Sequence, residues 1–312
     1  MVSINAAPLP TLRDGSEAER PVARRHTVQR FGGWLWLAPS LLMYTMFVLG
    51  PLALTVQYSF YSWDGIGQST WVGLDNYGEV FKNPELFGSL VNAFVLIIFF
   101  AIFPILVGLV ASALLKDVRS KAVGTFARTV LFIPQIIPLA GAAIAWTWMY
   151  SEGGVVNQVL RAIGLESLAR PWLGDFDTAL PAVGLIGSWV AFGLCTVLFS
   201  AGMGKIDPSL YEAVRLDGAG KVREFRTITL PGLRQEIVVV GTVLVIAALA
   251  SFDIIYIATL GGPGYETMVP GLQIYRLAFT AQKVGLASAL GVVLTLLILV
   301  VIVPLQRLRR EA

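Results

Sequence analysis

The sequence predicts an all-α membrane protein with six transmembrane helices and both termini in the cytoplasm. Three observations carry that prediction. The 312 residues are 56% hydrophobic and only 14% charged, with a mean hydropathy of +0.72, which leaves too little polar surface to coat a soluble domain of this size. Six stretches stay apolar over the roughly 20 residues a helix needs to cross a hydrocarbon core of about 30 Å. Finally, 18 of the 23 Lys and Arg fall on the odd-numbered segments between those stretches and five on the even-numbered ones. Basic residues accumulate on cytoplasmic loops, and this sets the orientation.

In chain order, residues 1–30 form a polar tail with Arg20, Arg24, Arg25 and Arg30. It reads as a cytoplasmic segment ahead of a retained first span, because that span is too long for a signal-peptide core and shows no obvious cleavage site. Residues 31–312 read as one transmembrane domain, with spans expected near Trp34–Tyr58, Leu90–Leu115, Thr129–Tyr150, Leu180–Met203, Ile237–Leu260 and Leu286–Val303. Pro104, Pro134, Pro138 and Gly187 fall inside them, and neighbouring helices can re-satisfy the backbone groups they free. Barrel strands would alternate over about ten residues instead of running solid. The charge pattern puts "YSWDGIGQSTWVGLDNYGEVF" outside and residues 204–235 inside.

That inner segment contains "YEAVRLDGAGKVREFRTITLP", Tyr211 to Pro231. Asp207-Pro208 is a helix-start signal for Ser209 to Leu216, Asp217-Gly218 a turn, and Lys221 to Ile228 a second short helix stopped before Pro231. Leu210, Ala213, Val214, Phe225, Ile228 and Leu230 can form an apolar side, while Glu212, Arg215, Arg223, Glu224 and Arg226 are expected to stay wet. The segment reads either as a solvated linker or as a docking element for a partner. "DGAGKV" is not a phosphate loop: that motif needs Gly six residues before the Lys and Ser or Thr after it, and Arg215 and Val222 stand there. "GMGKI" fails the same test. With one Cys, Cys195, and one His, His26, a metal site built on those residues is excluded. Asp253 is the acid expected within a span, either functional or a local cap near the interface. Trp189 either stacks on a ligand or packs.

Tyr211-Glu212-Ala213, Asp217-Gly218-Ala219, Phe225, Ile228, Leu230 and Pro231 resemble the cytoplasmic signature loop of permease subunits from binding-protein-dependent ATP-binding-cassette importers, with Val214 where that signature has a second Ala. "WVGLDNYGEVFKNPELFGSLVNAF", "RTVLFIPQIIPLAGAAIAWTWMY", "GGVVNQVLRAIG", "PWLGDFDTAL" and "SFDIIYIATLGGPGYETMVPGLQIYRLAF" resemble segments of the carbohydrate-type, maltose-permease-like subfamily. The resemblance runs in order from about Trp34 to Leu305.

The resemblance implies a type I importer permease fold in a bacterial or archaeal plasma membrane. It implies as partners a second homologous permease, two cytoplasmic ATP-binding subunits, an extracytoplasmic solute-binding protein and the lipid bilayer, with no nucleic acid. ATP and Mg would bind in the partner subunits and no cofactor in this chain, which would not itself be an enzyme. The loop at 204–235 would couple ATPase closure to the spans, with Tyr211, Glu212, Ala213, Asp217, Gly218, Ala219, Phe225 and Pro231 as its site residues. The solute would be a sugar or oligosaccharide; the alternative is a non-sugar solute such as a glycerophosphate or polyamine. Positions corresponding to sugar contacts in the maltose permease fall on Val190, Ala191 and Leu194 and on Ala247, Ala248 and Ser251.

Overall fold

Four helices in a computed structural model that describes residues 36–310 are long and apolar enough to cross a membrane, or up to six if each of two bent pairs is one span. The tail expected over 1–30 lies outside the described residues. Helix α1, Trp36–Tyr58, exposes Leu42, Phe47 and Leu52 along its first part, as a helix surrounded by lipid would.

Beyond α1, a short antiparallel ribbon pairs β1, Tyr61–Ser62, with β2, Thr70–Trp71. Asp64 closes its turn by accepting hydrogen bonds from the amides of Ile66 and Gly67 at 2.9 and 2.8 Å. Helix α2, Asp75–Lys82, leads into α3, Pro84–Lys116. Asn83 caps α3 by accepting from the amides of Glu85 and Leu86, and Pro84 takes the first turn, where no intrahelical N–H is needed.

The expected span Thr129–Tyr150 is instead two helices, α4, Lys121–Ile136, and α5, Leu139–Met149, bent by 95°. The cause is Pro138. Its ring crowds the preceding residue out of the helical region, and Ile137 adopts φ −71°, ψ 126°. Pro134 is carried within α4. Helix α6, Val155–Ala162, is tied to the following loop by Asn157, which is fully buried. Its amide donates to the carbonyls of Ser151, Glu152 and Arg170, and its Oδ1 accepts from the Trp172 indole at 2.9 Å.

Helix α7, Ala179–Met203, is the best buried of the long helices. It contacts α3 and α4, and the contact is close because small residues face the neighbour: a Cβ on Gly193 would collide with the Leu131 carbonyl of α4. The segment after α7 folds as α8, Pro208–Leu216, and α9, Lys221–Gly232, followed by α10, Arg234–Leu249, at a 69° bend from α9. The second loop helix therefore does not stop before Pro231. A wide π-helical turn over Phe225–Thr229 shifts the hydrogen-bond register, and the helix runs on to Gly232.

The expected span Ile237–Leu260 is also interrupted. Helix α10 ends at Leu249, residues 250–252 are not helical, and α11 covers Asp253–Ala258. Helix α12, Pro270–Tyr275, and the long α13, Val284–Arg310, complete the fold. One core cluster joins Cys195, Phe199 and Met203 of α7 to Leu233 and to Val240 and Leu244 of α10. Another packs Val80, Leu86 and Leu90 against Leu277, Leu290 and Val293.

Candidate solute cavity and docking loop

The two helix breaks border one cavity, of about 520 Å³. Gln135 to Leu139 enter from the first break, and Ala250 to Ile254 from the second. The wall between them is a face of α7, Gly187, Val190, Ala191 and Leu194, spaced so that all point one way on a helix. Val243, Leu244 and Ala247 of α10 and Phe100 of α3 complete it. Non-helical backbone at membrane depth is tolerated where it lines a cavity, because its freed polar groups have somewhere to turn.

Six of the eight residues expected on a substrate path line this cavity: Val190, Ala191, Leu194, Ala247, Ser251 and Asp253. Asp253 is exposed at the start of α11 and not within a continuous span, since the break precedes it. Ser251 is buried and its Oγ has no hydrogen-bond partner. The other two residues lie elsewhere. Ala248 is fully buried in the core on another face of α10. Trp189 packs edge-on against Trp146 with ring centroids 5.6 Å apart. Sequence reasoning overlooked Gln135, Phe100 and Phe252. Gln135 stands just ahead of the Ile137-Pro138 step, and a polar residue beside a helix-breaking proline in an apolar run is the signal that could have found it.

The loop forms two helices meeting at Gly218, whose φ is +76°, a left-handed conformation that glycine adopts without Cβ strain. Asp207 caps α8 by accepting from the Ser209 amide at 2.9 Å. Two faces result. Outward lie Leu210, Glu212, Ala213, Leu216, Asp217, Gly218 and Val222, all exposed, Leu216 by 89%. Pro231 is also exposed, while Ala219 and Phe225 are half-buried. Inward lies Tyr211, buried, with its hydroxyl 3.2 Å from Thr229 Oγ1 and the Lys116 ammonium over its ring.

Glu224 is buried, contrary to the expectation that it stays wet. Its carboxylate accepts from Arg215 Nε at 2.8 Å and Nη2 at 3.1 Å, with Lys116 Nζ at 3.5 Å. A buried carboxylate needs such partners to offset lost hydration. The Arg215 hydrogen bonds, helped by the positive charges of Arg215, Lys116 and Lys221, hold the Glu224 carboxyl below its ordinary range against the opposing effect of burial. Lys221 also reaches both oxygens of Asp117 at 3.0 Å. The loop is thus pinned by charge to the end of α3.

This arrangement of bent helix pairs around a cavity, with a docked loop at one end, is that of an importer permease. The chain belongs to the family of binding-protein-dependent transport system inner membrane components, whose pattern it matches over residues 105–310. It is 35% identical to the probable ABC transporter permease protein YurN of Bacillus subtilis, over 85% of this chain and 91% of that one. It is 32% identical to the diacetylchitobiose uptake system permease protein NgcF of Streptomyces coelicolor, over 94% of this chain and 85% of that one. A crystal structure of a bacterial ABC transporter that imports the acidic polysaccharide alginate contains a chain of the same fold, with a TM-score of 0.78 at 23% identity, covering 91% of this chain and 96% of that one.

Proposed function

We propose that this permease lines, with a second homologous permease, the import path for a sugar or oligosaccharide. The cavity between the two helix breaks is the observation that carries the reading. Its size suits a sugar-sized ligand. Phe252, half-buried, brings an aromatic ring to the lining, and Gln135, Ser251 and Asp253 bring groups able to hydrogen-bond hydroxyls. The diacetylchitobiose permease among the relatives supports the same class. A glycerophosphate would bring a dianion to a cavity whose one charged lining group is acidic, and a polyamine several cations with few hydroxyl-type contacts to make; both fit less well.

In this reading the chain crosses the membrane six times with both termini in the cytoplasm, an extracytoplasmic binding protein delivers the solute, and two ATPase subunits take ATP and Mg. Leu210, Glu212, Ala213, Leu216 and Val222 supply an apolar and acidic face that an ATPase can grip, and Gly218 sets its bend. The test is reconstitution with the neighbouring permease, ATPase and binding protein in proteoliposomes, scanning labelled oligosaccharides, glycerophosphates and polyamines. ATP-dependent uptake of an oligosaccharide is expected; uptake of only the charged solutes would overturn the assignment. Cysteines placed at Gln68 and Gln158 should react with an impermeant reagent from outside, and one at Leu216 should not.

A further inference from the structure

A second cavity, of about 380 Å³, opens beside the loop, between the ends of α3 and α7, the middle of α4, and α8. Three cations line it, Lys116, Arg128 and Arg215, with Glu212 on the same wall. Arg215 and Lys116 already share the buried Glu224. Arg128 pairs with no carboxylate among the described residues, and its Nε is buried without a hydrogen-bond partner. On α7, Ser200 lines the same cavity, and its Oγ is likewise buried without a partner.

Both orphaned groups can donate, and a guanidinium can only donate. Leaving a buried donor atom unpaired is costly, and two such atoms on half-buried residues that line one cavity ask for an acceptor with several oxygens. The local charge excess is positive, so the acceptor is an anion. A tetrahedral phosphate carries enough acceptor oxygens for the Arg128 guanidinium, the Ser200 hydroxyl and the Lys116 ammonium, three donors from residues that line the same cavity. Leu114 of α3 and, on α4, Phe126 and Val130 are exposed within two residues of Lys116 and Arg128 in sequence, and basic pockets between membrane helices on the cytoplasmic side, the side the proposed topology gives this one, are apt for anionic headgroups.

We propose that this cavity binds a phosphate group, presented either by an anionic lipid headgroup or by a soluble phosphate-bearing ligand. The assignment does not depend on the identity of the transported solute. The full chain, purified in neutral detergent and stripped of lipid, is titrated in two arms. One arm uses inorganic phosphate, read by equilibrium binding. The other uses phosphatidylglycerol against phosphatidylcholine, read by native mass spectrometry. Arg128→Gln and Ser200→Ala are measured beside the wild type.

Preferential retention of phosphatidylglycerol alone assigns the lipid source, and saturable binding of inorganic phosphate assigns the soluble one. In either arm Arg128→Gln should weaken binding by about tenfold or more, and Ser200→Ala by less. If Arg128→Gln loses its helical circular dichroism, Ser200→Ala carries the comparison. Wild-type protein that favours neither ligand, or binding that is equal in wild type and the folded variants, overturns the proposal.

Discussion

Arg215 grips Glu224 through two parallel hydrogen bonds, 2.8 Å from Nε and 3.1 Å from Nη2, and so locks the two helices of the loop into one hinged body across Gly218. The same carboxylate reaches Lys116 at the end of α3. A push on the exposed face of α8 therefore has a short, stiff route into a membrane helix. The route is fork-shaped and directional, because a planar guanidinium fixes the angle as well as the distance.

Removing that carboxylate should loosen the loop without disturbing the spans. Glu224→Gln keeps the side-chain shape but loses the charge that Arg215 and Lys116 share, and should cost about 1–2 kcal/mol locally. Arg215→Gln should produce a similar phenotype, and the double variant little more than Glu224→Gln alone, because the Arg215–Glu224 contact is lost in both single changes. The check is transport per ATP hydrolysed in the reconstituted complex, which should fall in all three. Additive losses would show that the two residues act separately.

Acid should do what the substitution does. The Glu224 carboxyl is held below its ordinary value, first by the Arg215 hydrogen bonds. A group with a lowered folded-state value stabilises the fold above its unfolded value, taken as 4.5 for this carboxyl, and that contribution is lost as pH falls through the folded value. Amides of α9 should therefore keep constant protection from hydrogen exchange across neutral pH. They should lose it on acidification below the ordinary carboxylate range, after correction for intrinsic rates. Glu224→Gln should show protection reduced by about tenfold already at neutral pH and no acid step. An acid step of equal size in the variant would assign the titration to another group.

Packing between α4 and α7 sets a different requirement. Because a Cβ at Gly193 meets the Leu131 carbonyl, Gly193→Val must push the helices apart, at a cost of about 1–3 kcal/mol or more. Lower membrane abundance and a lower melting temperature in detergent are expected. Gly88, around which a Cβ meets nothing, should accept Ala with neither effect.

What the sequence could announce depended on how local each cause was. The cap at Asp207, the bend at Gly218 and the apolar runs are written in neighbouring residues, and the structure has the cap and the bend where the sequence puts them. Pro138 carried its own signal, but a proline in an apolar run is compatible with either a kink or a break, and only packing decides. Nothing marks the break at residues 250–252: Ala250, Ser251 and Phe252 include no helix breaker, and the closeness of Gly271 to the Ser251 carbonyl is a long-range contact. The burial of Glu224 was hidden for the same reason. One of its partners, Lys116, sits at the end of another span, so by local pattern it looked like one more wet charge. Trp189 shows the converse, since its partner Trp146 comes from a different helix.

The glycine at the hinge offers the sharpest test of the loop's role. Gly218 has φ +76° and open space around a built Cβ within this chain. Gly218→Val is thus opposed here by backbone strain, about 1–3 kcal/mol, and by whatever subunit packs on the exposed face. Gly218→Asn separates the two, because asparagine tolerates the left-handed region far better than valine. Both variants leave the spans intact and should reach the membrane at wild-type abundance. If the bend is what matters, Val should recover less ATPase on pull-down and import little solute, while Asn retains most of both. If a close approach by the partner matters as well, Asn should fall between Val and wild type. Full ATPase recovery and full transport by Gly218→Val at matched abundance would remove the coupling role from this loop and leave it a solvated connection between α7 and α10.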